Sequence, residues 1–213
     1  MALTEDKKIF TILVSNSLPL CVTGVQEVIS MSDKGYSLYI RHLEGDEQAL
    51  EALVRLYSDP LIRFAYCYVQ NASEAEDIME DTIVALILKR LRLTSGDALH
   101  GYLYKTARNK AIDCLRKHRC VPLEDVEAVL TVGDAESDVF RRARSQAIYR
   151  SMQMLPEQYR EVLHLTYFEG FTPAEVSRIL RKTPKQVYNL LTRSKNALRD
   201  ILTKEGITHE ELF

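Results

Sequence analysis

Apolar residues recur at helical spacing along most of this chain, beginning near Tyr36. Gly45-Asp46 marks a break, and Asp46 is placed to cap a helix carrying Leu50, Leu53, Val54 and Leu56. Pro60 should kink or end that helix, because proline has no N–H to donate. Ser73 followed by Glu76 reads as a capping box that opens a second long helix through Ile78, Met79, Ile83, Val84, Leu86 and Ile87. Thr94-Ser95-Gly96-Asp97 reads as a loop ending in an N-cap. Beyond it Leu99, Leu103, Ala107, Ala111 and Leu115 fall at four-residue spacing on one helix face.

The pattern then changes. Val121 to Asp138 contains Glu124, Asp125, Glu127, Asp134, Glu136 and Asp138, no Lys or Arg, and both Pro122 and Gly133, which marks an acidic linker. Fully extended, about 16 residues reach about 55 Å, more than the roughly 34 Å of one turn of DNA. After it, a helix through Phe140, Ile148 and Met152 ends near Pro156, and another covers Tyr159 to Phe168 before Gly170.

Two matching signals follow. Thr172-Pro173-Ala174-Glu175 places an N-cap, a first-position proline and a third-position glutamate in order, and eleven residues later Thr183-Pro184-Lys185-Gln186 repeats the device. The interval leaves room for a short helix from Ala174 to about Leu180 and a tight turn. A longer helix then runs to about Lys204, with Gly206 as its stop. Short helix, turn and longer helix is a helix-turn-helix, which delivers the start of its second helix to the DNA major groove. Lys185, Gln186, Tyr188 and Asn189 would reach base edges, Arg193, Lys195 and Arg199 would meet phosphates, and Val187, Leu190, Leu191 and Leu198 would form the buried stripe.

Composition sharpens this to an all-α chain: 46% of its 213 residues are apolar, with 8 Gly, 6 Pro and no Trp. The net charge of -2 hides segregation. His100 to Cys120 carries +5, Arg178 to Arg199 carries +7 with no acid, and the remainder sums to -14. Two basic stripes on an acidic body suit local phosphate contact without indiscriminate binding. The cysteines Cys21, Cys67, Cys114 and Cys120 form no C-x-x-C pair, and Cys114, His118 and Cys120 are too few and too irregular for a structural zinc site, so no metal or cofactor is expected. Near the start, the runs Ile9 to Val14 and Leu18 to Val25 are interrupted by Ser15, Asn16 and Ser17, too broken for a membrane span. Residues 1–30 read as a poorly ordered arm or as sequence upstream of a natural start at Met31.

The stretch LPEQYREVLHLTYFEGFTPAEVSRILRKTPKQVYNLLTRSKNALRDIL, Leu155 to Leu202, resembles region four of bacterial sigma factors, which binds the upstream promoter element. AEDIMEDTIVALILKRL from Ala75, with GYLYKTARNKAIDCLRKHR from Gly101, is similar to region two, which binds the polymerase clamp and opens the downstream element. With no full domain between them, the layout resembles the extracytoplasmic-function group.

That resemblance implies two small helical domains, region two over 36–119 and region four over 138–206, joined by a linker over 120–137 and followed by a tail over 207–213. It implies a non-enzymatic cytoplasmic protein whose partners are core RNA polymerase, promoter DNA and an anti-sigma factor. Asp77, Glu80 and Asp81 would face the polymerase. The loop Thr94 to Ala98, with Ser95, Gly96 and Asp97, would capture a flipped base, and Lys105, Arg108, Asn109, Lys110, Asp113, Arg116 and Lys117 would line the melted strand. Thr183, Lys185, Gln186, Tyr188, Asn189, Arg193 and Lys195 would hold the upstream element.

The chain differs from the family pattern at Glu80, where Gln is common, at Tyr102, where Trp is frequent, at Arg181, where Gly is usual, and at Tyr188 and Leu190, which are often basic. A helix-turn-helix regulator acting without polymerase would account for Thr172 to Leu202 but leave Ala75 to Arg119 unexplained. A nucleic-acid enzyme would need a phosphate loop, H-E-x-x-H or G-x-S-x-G, and none is present.

Overall fold

The computed structural model describes residues 24–118 and 150–204, and every regular element among them is helical. They divide into two compact units, one containing residues 28–118 and the other 150–204. The linker, the tail, residues 1–23, Phe140, Ile148 and Gly206 lie outside the described residues.

The first unit holds α1 (Gly24–Leu43) from Val28 onward, α2 (Glu47–Val69), α3 (Ala72–Lys89) and α4 (Gly96–His118). Helix α1 starts twelve residues before Tyr36, where the apolar periodicity becomes visible. Asp46 caps α2 as expected, accepting from the Ala49 N–H at 3.1 Å. Pro60, however, does not end α2, which continues nine residues beyond it. A mid-helix proline costs about 3 kcal/mol, whereas Leu61, Phe64 and Ala65 past it are fully buried, and a buried Leu or Phe contributes roughly 1.5–3 kcal/mol. Burial wins.

Two caps also differ from the sequence reading. Asn71, not Ser73, caps α3, accepting from the Glu74 N–H at 3.2 Å. Gln70 has already closed α2 in a left-handed conformation (φ 54°), so the next chain residue is the one free to cap. Ser95, not Asp97, opens α4, its Oγ accepting from the Ala98 N–H at 3.2 Å. Gly96 can take the first helical position because it has no Cβ; one there would lie 2.6 Å from the Ser32 carbonyl. The core joins Tyr39, Tyr57, Leu61, Phe64, Leu86, Leu103 and Tyr104, with Phe64 and Tyr104 packed edge to face at 5.1 Å.

The second unit holds α5 (Glu157–Leu163), a wide π-type turn (His164–Phe168), α6 (Pro173–Leu180) and α7 (Pro184–Lys204). The expected continuous helix to Phe168 therefore widens at His164, whose carbonyl accepts from the Glu169 N–H five residues on. There the buried His164 Nε2 lies 2.9 Å from Glu169 Oε1. Met152, Leu155, Leu163, Leu198 and Leu202 form one core cluster.

Arg181 closes α6 with φ 53°, the left-handed conformation that explains why glycine is usual at this position. A non-glycine residue there costs about 1–2 kcal/mol. Arg181→Gly is therefore expected to raise the melting temperature of the second unit by several degrees in calorimetry; a lowered melting temperature would contradict the strain. At Asp46, the Ala49 amide and Arg41, 2.6 Å away, hold the carboxyl below its ordinary range. Its contribution is present above the unfolded carboxylate pKa and is lost as pH falls through the lower folded value. Acid titration of Asp46→Ala should thus lack this part of the wild type's loss of stability below about pH 4.

Candidate nucleic-acid interface

Reciprocal caps open both α6 and α7. Thr172 Oγ1 accepts from the Glu175 N–H at 3.4 Å, while Glu175 Oε2 accepts from the Thr172 N–H at 2.8 Å. Thr183 Oγ1 accepts from the Gln186 N–H at 3.3 Å, and Gln186 Oε1 accepts from the Thr183 N–H at 2.8 Å. The second cap, inferred from Thr-Pro and Gln186, is thus complete.

Val187, Leu191, Ser194, Leu198 and Leu202 form the inner stripe of α7. Leu190, expected inside, is only half-buried; it lines a shallow groove with Lys182, Gln186, Asn189 and Arg193. Gln186, Asn189 and Arg193 follow one another at three- and four-residue intervals and so share one face of α7, with Lys182 beside them in the turn. Lys182 was not among the expected contacts because it precedes the cap, although its place in the tight turn was the available signal. Lys185 and Tyr188 are exposed, Tyr188 by 54%. Lys195 is set apart from the groove, its Nζ 5.7 Å from the Tyr167 ring centre. Thr183 and Gln186 shape the turn as well as facing outward.

In the first unit, Lys105, Arg108, Asn109 and Arg116 lie along one row of α4, joined by half-buried Ile112. Lys110, Asp113 and Lys117 form a second row. Lys110 Nζ lies 2.8 Å from Asp81 Oδ2, so the structure brings together two residues assigned to different partners. Arg116 and Asp113 are 3.3 Å apart. Ser95 and Asp97 are exposed, whereas Gly96 is buried against the Ser32–Asp33 backbone.

Asp77, Glu80 and Asp81 are all exposed on α3, and their row continues through Val84 and Leu88, 49% and 77% exposed. Val84 belongs to the expected helical run and Leu88 was not singled out; both lie at helical spacing from the acids, a pattern readable only once the buried face was known. Cys114, half-buried 3.6 Å from Glu74 Oε2, has its thiol pKa pushed up by burial and by that carboxylate. Among the described residues no cluster could hold a metal ion, and no helix is long and apolar enough to cross a membrane.

The Asp81–Lys110 pair is accessible to solvent, so a double-mutant cycle with alanine should give a coupling below about 1 kcal/mol that shrinks as salt rises. A larger, salt-insensitive value would show that the pair is structurally tighter than its exposure implies.

Two family models match, Sigma-70 region 2 over residues 53–120 and Sigma-70 region 4 over residues 145–198. Sigma factor SigV of Bacillus subtilis is 25% identical over 146 residues, covering 68% of this chain and 86% of its own. The extracytoplasmic-function sigma factor SigW of the same organism is 26% identical over 168 residues, covering 73% and 90%. Among solved structures, that of RpoE with the anti-sigma factor NepR from Bartonella quintana has a TM-score of 0.58 at 22% identity, covering 72% of this chain and 96% of that one. That of CnrH with the cytosolic domain of CnrY has a TM-score of 0.56 at 20% identity, covering 81% and 98%. Both share the fold. Because the matches account for both helical units and not the helix-turn-helix alone, the chain belongs to the sigma-70 family, in its extracytoplasmic-function group, and is a sigma factor that directs promoter recognition.

Proposed function

We propose that this sigma factor divides its work between surfaces carried on separate helices. The α3 row Asp77, Glu80, Asp81, Val84 and Leu88 docks on core polymerase, with exposed apolar side chains as anchors and carboxylates setting orientation. The loop around Ser95 and Asp97 takes a flipped base of the downstream element. Lys105, Arg108, Asn109 and Arg116 hold the separated strand, and Lys110, Asp113 and Lys117 border it. The α7 face of Lys182, Lys185, Gln186, Tyr188, Asn189 and Arg193 reads the upstream element, with Lys195 at its edge. The observation that carries this reading is the groove at the start of α7, where the amides of Gln186 and Asn189 lie beside the cations of Lys182 and Arg193 behind a completed cap.

No catalytic side chain is required. Binding separated bases and phosphates offsets the few kcal/mol that each unstacked base costs. The acidic linker is proposed to enter the polymerase channel as a nucleic-acid mimic. The protein acts in the cytoplasm. The solved relatives bound to NepR and CnrY support a regulatory protein partner that sequesters the free factor.

Reconstitution with core polymerase tests the whole. Transcription from a cognate promoter is expected only when the chain and core are combined, and tight promoter binding without core association would overturn the proposal. Charge reversal at Lys185 and Arg193 should weaken upstream-element binding about tenfold or more and lower the salt slope by roughly one unit per lost phosphate contact. Core affinity should persist in that variant. Val84→Asp with Leu88→Asp should do the reverse, abolishing core association in a pull-down while the second unit's DNA binding survives.

A further inference from the structure

Helix α1 lies outside the region 2 match, which starts at residue 53, yet it grips the segment that leads into α4 at four points. Arg90 Nη2 donates to the Leu43 carbonyl at 3.2 Å. Tyr39 Oη donates to the Leu91 carbonyl at 2.9 Å, and Tyr36 Oη donates to the Leu93 carbonyl at 3.0 Å. Gly96 lies against the Ser32 backbone, too close for any side chain. Residues 43, 39, 36 and 32 are spaced by four, three and four, which is one stripe along a helix. They meet residues 90, 91, 93 and 96 in reverse order, so the segment runs antiparallel to α1 as a strap.

The strap needs this support. Between α3 and α4 the chain is not helical, and the Leu93 N–H that reaches the Leu91 carbonyl at 3.1 Å is supplemented by the tyrosine hydroxyls of α1. It opens on Arg90 in a left-handed conformation (φ 42°), which persists only where its surroundings hold it. The Ser95 cap fixes one end of the loop and the two tyrosine hydroxyls fix the other.

We infer that Tyr36 and Tyr39 are positioning residues for strand opening, setting where Ser95 and Asp97 meet the separated strand. The inference rests on the proposal that this loop captures a base. Each tyrosine acts through a carbonyl of the strap. Tyr39 is fully buried and Tyr36 half-buried, so replacing both by Phe keeps the rings and removes only the donors.

The test uses holoenzyme assembled from core polymerase and the full chain on a promoter opened in advance over the downstream element. One non-template nucleotide at a time is made abasic. In the wild type, one abasic position should lower complex lifetime more than its neighbours. In Tyr36→Phe with Tyr39→Phe, that penalty should fall to about a fifth or less, since each lost hydrogen bond is worth roughly a factor of five. Core affinity and penalties elsewhere should stay within about twofold, which general destabilisation would not produce. An unchanged penalty in the double variant, when Ser95→Ala with Asp97→Ala removes it, would overturn the positioning role. If the loop variant also leaves it unchanged, base capture itself fails and the inference falls with it. Should the double variant not fold, Tyr36→Phe alone carries the same comparison.

Discussion

The direction in which the first two turns of α7 point depends on the caps that open α6 and α7 and on the tight turn between these helices. Thr172 with Glu175 and Thr183 with Gln186 satisfy orphan amides at the starts of successive helices. Between them Arg181 reverses the chain in a conformation that disfavours side chains. With the start of α7 set this way, the inner stripe from Val187 to Leu202 fixes its rotation. Lys185, Tyr188, Asn189 and Arg193 are left outward by geometry alone.

The first unit obeys the same logic with a different fastening. Its aromatic core, with Tyr57, Phe64 and Tyr104 fully buried, orients α2 and α4 strongly enough to carry a proline through the middle of α2. The acids of α3 and the cations of α4 then emerge on separate rows, meeting at Asp81 and Lys110. That meeting is a solvent-accessible ion pair joining one row on α3 to one row on α4.

Charge segregation completes the arrangement. A chain of net charge -2 concentrates +7 within Arg178 to Arg199, so phosphate attraction is local and falls away within about 10 Å at ordinary salt. Such a protein gains little from nonspecific duplex and more from sites where polymerase, base contacts and phosphates coincide.

The all-α class, Asp46 as a cap, both Thr-Pro starts and the lengths of α6 and α7 were legible in the sequence, because caps and helical periodicity act within a few residues. The family resemblance was legible in the same way. Pro60 inside a continuous helix, the shift of two caps to Asn71 and Ser95, the exposure of Val84 and Leu88, the half-buried Leu190 and the grip of Tyr36 and Tyr39 on the strap were not. Each depends on what packs from a distant part of the chain. Burial summed over several side chains decides such cases, and local propensities worth about 1 kcal/mol or less, or about 3 kcal/mol for a mid-helix proline, do not. Local chemistry is enough to show that helices form, where several of them start and where charge gathers. Only the tertiary structure decided which faces of those helices meet the outside, because a helix has no inside until another element covers it.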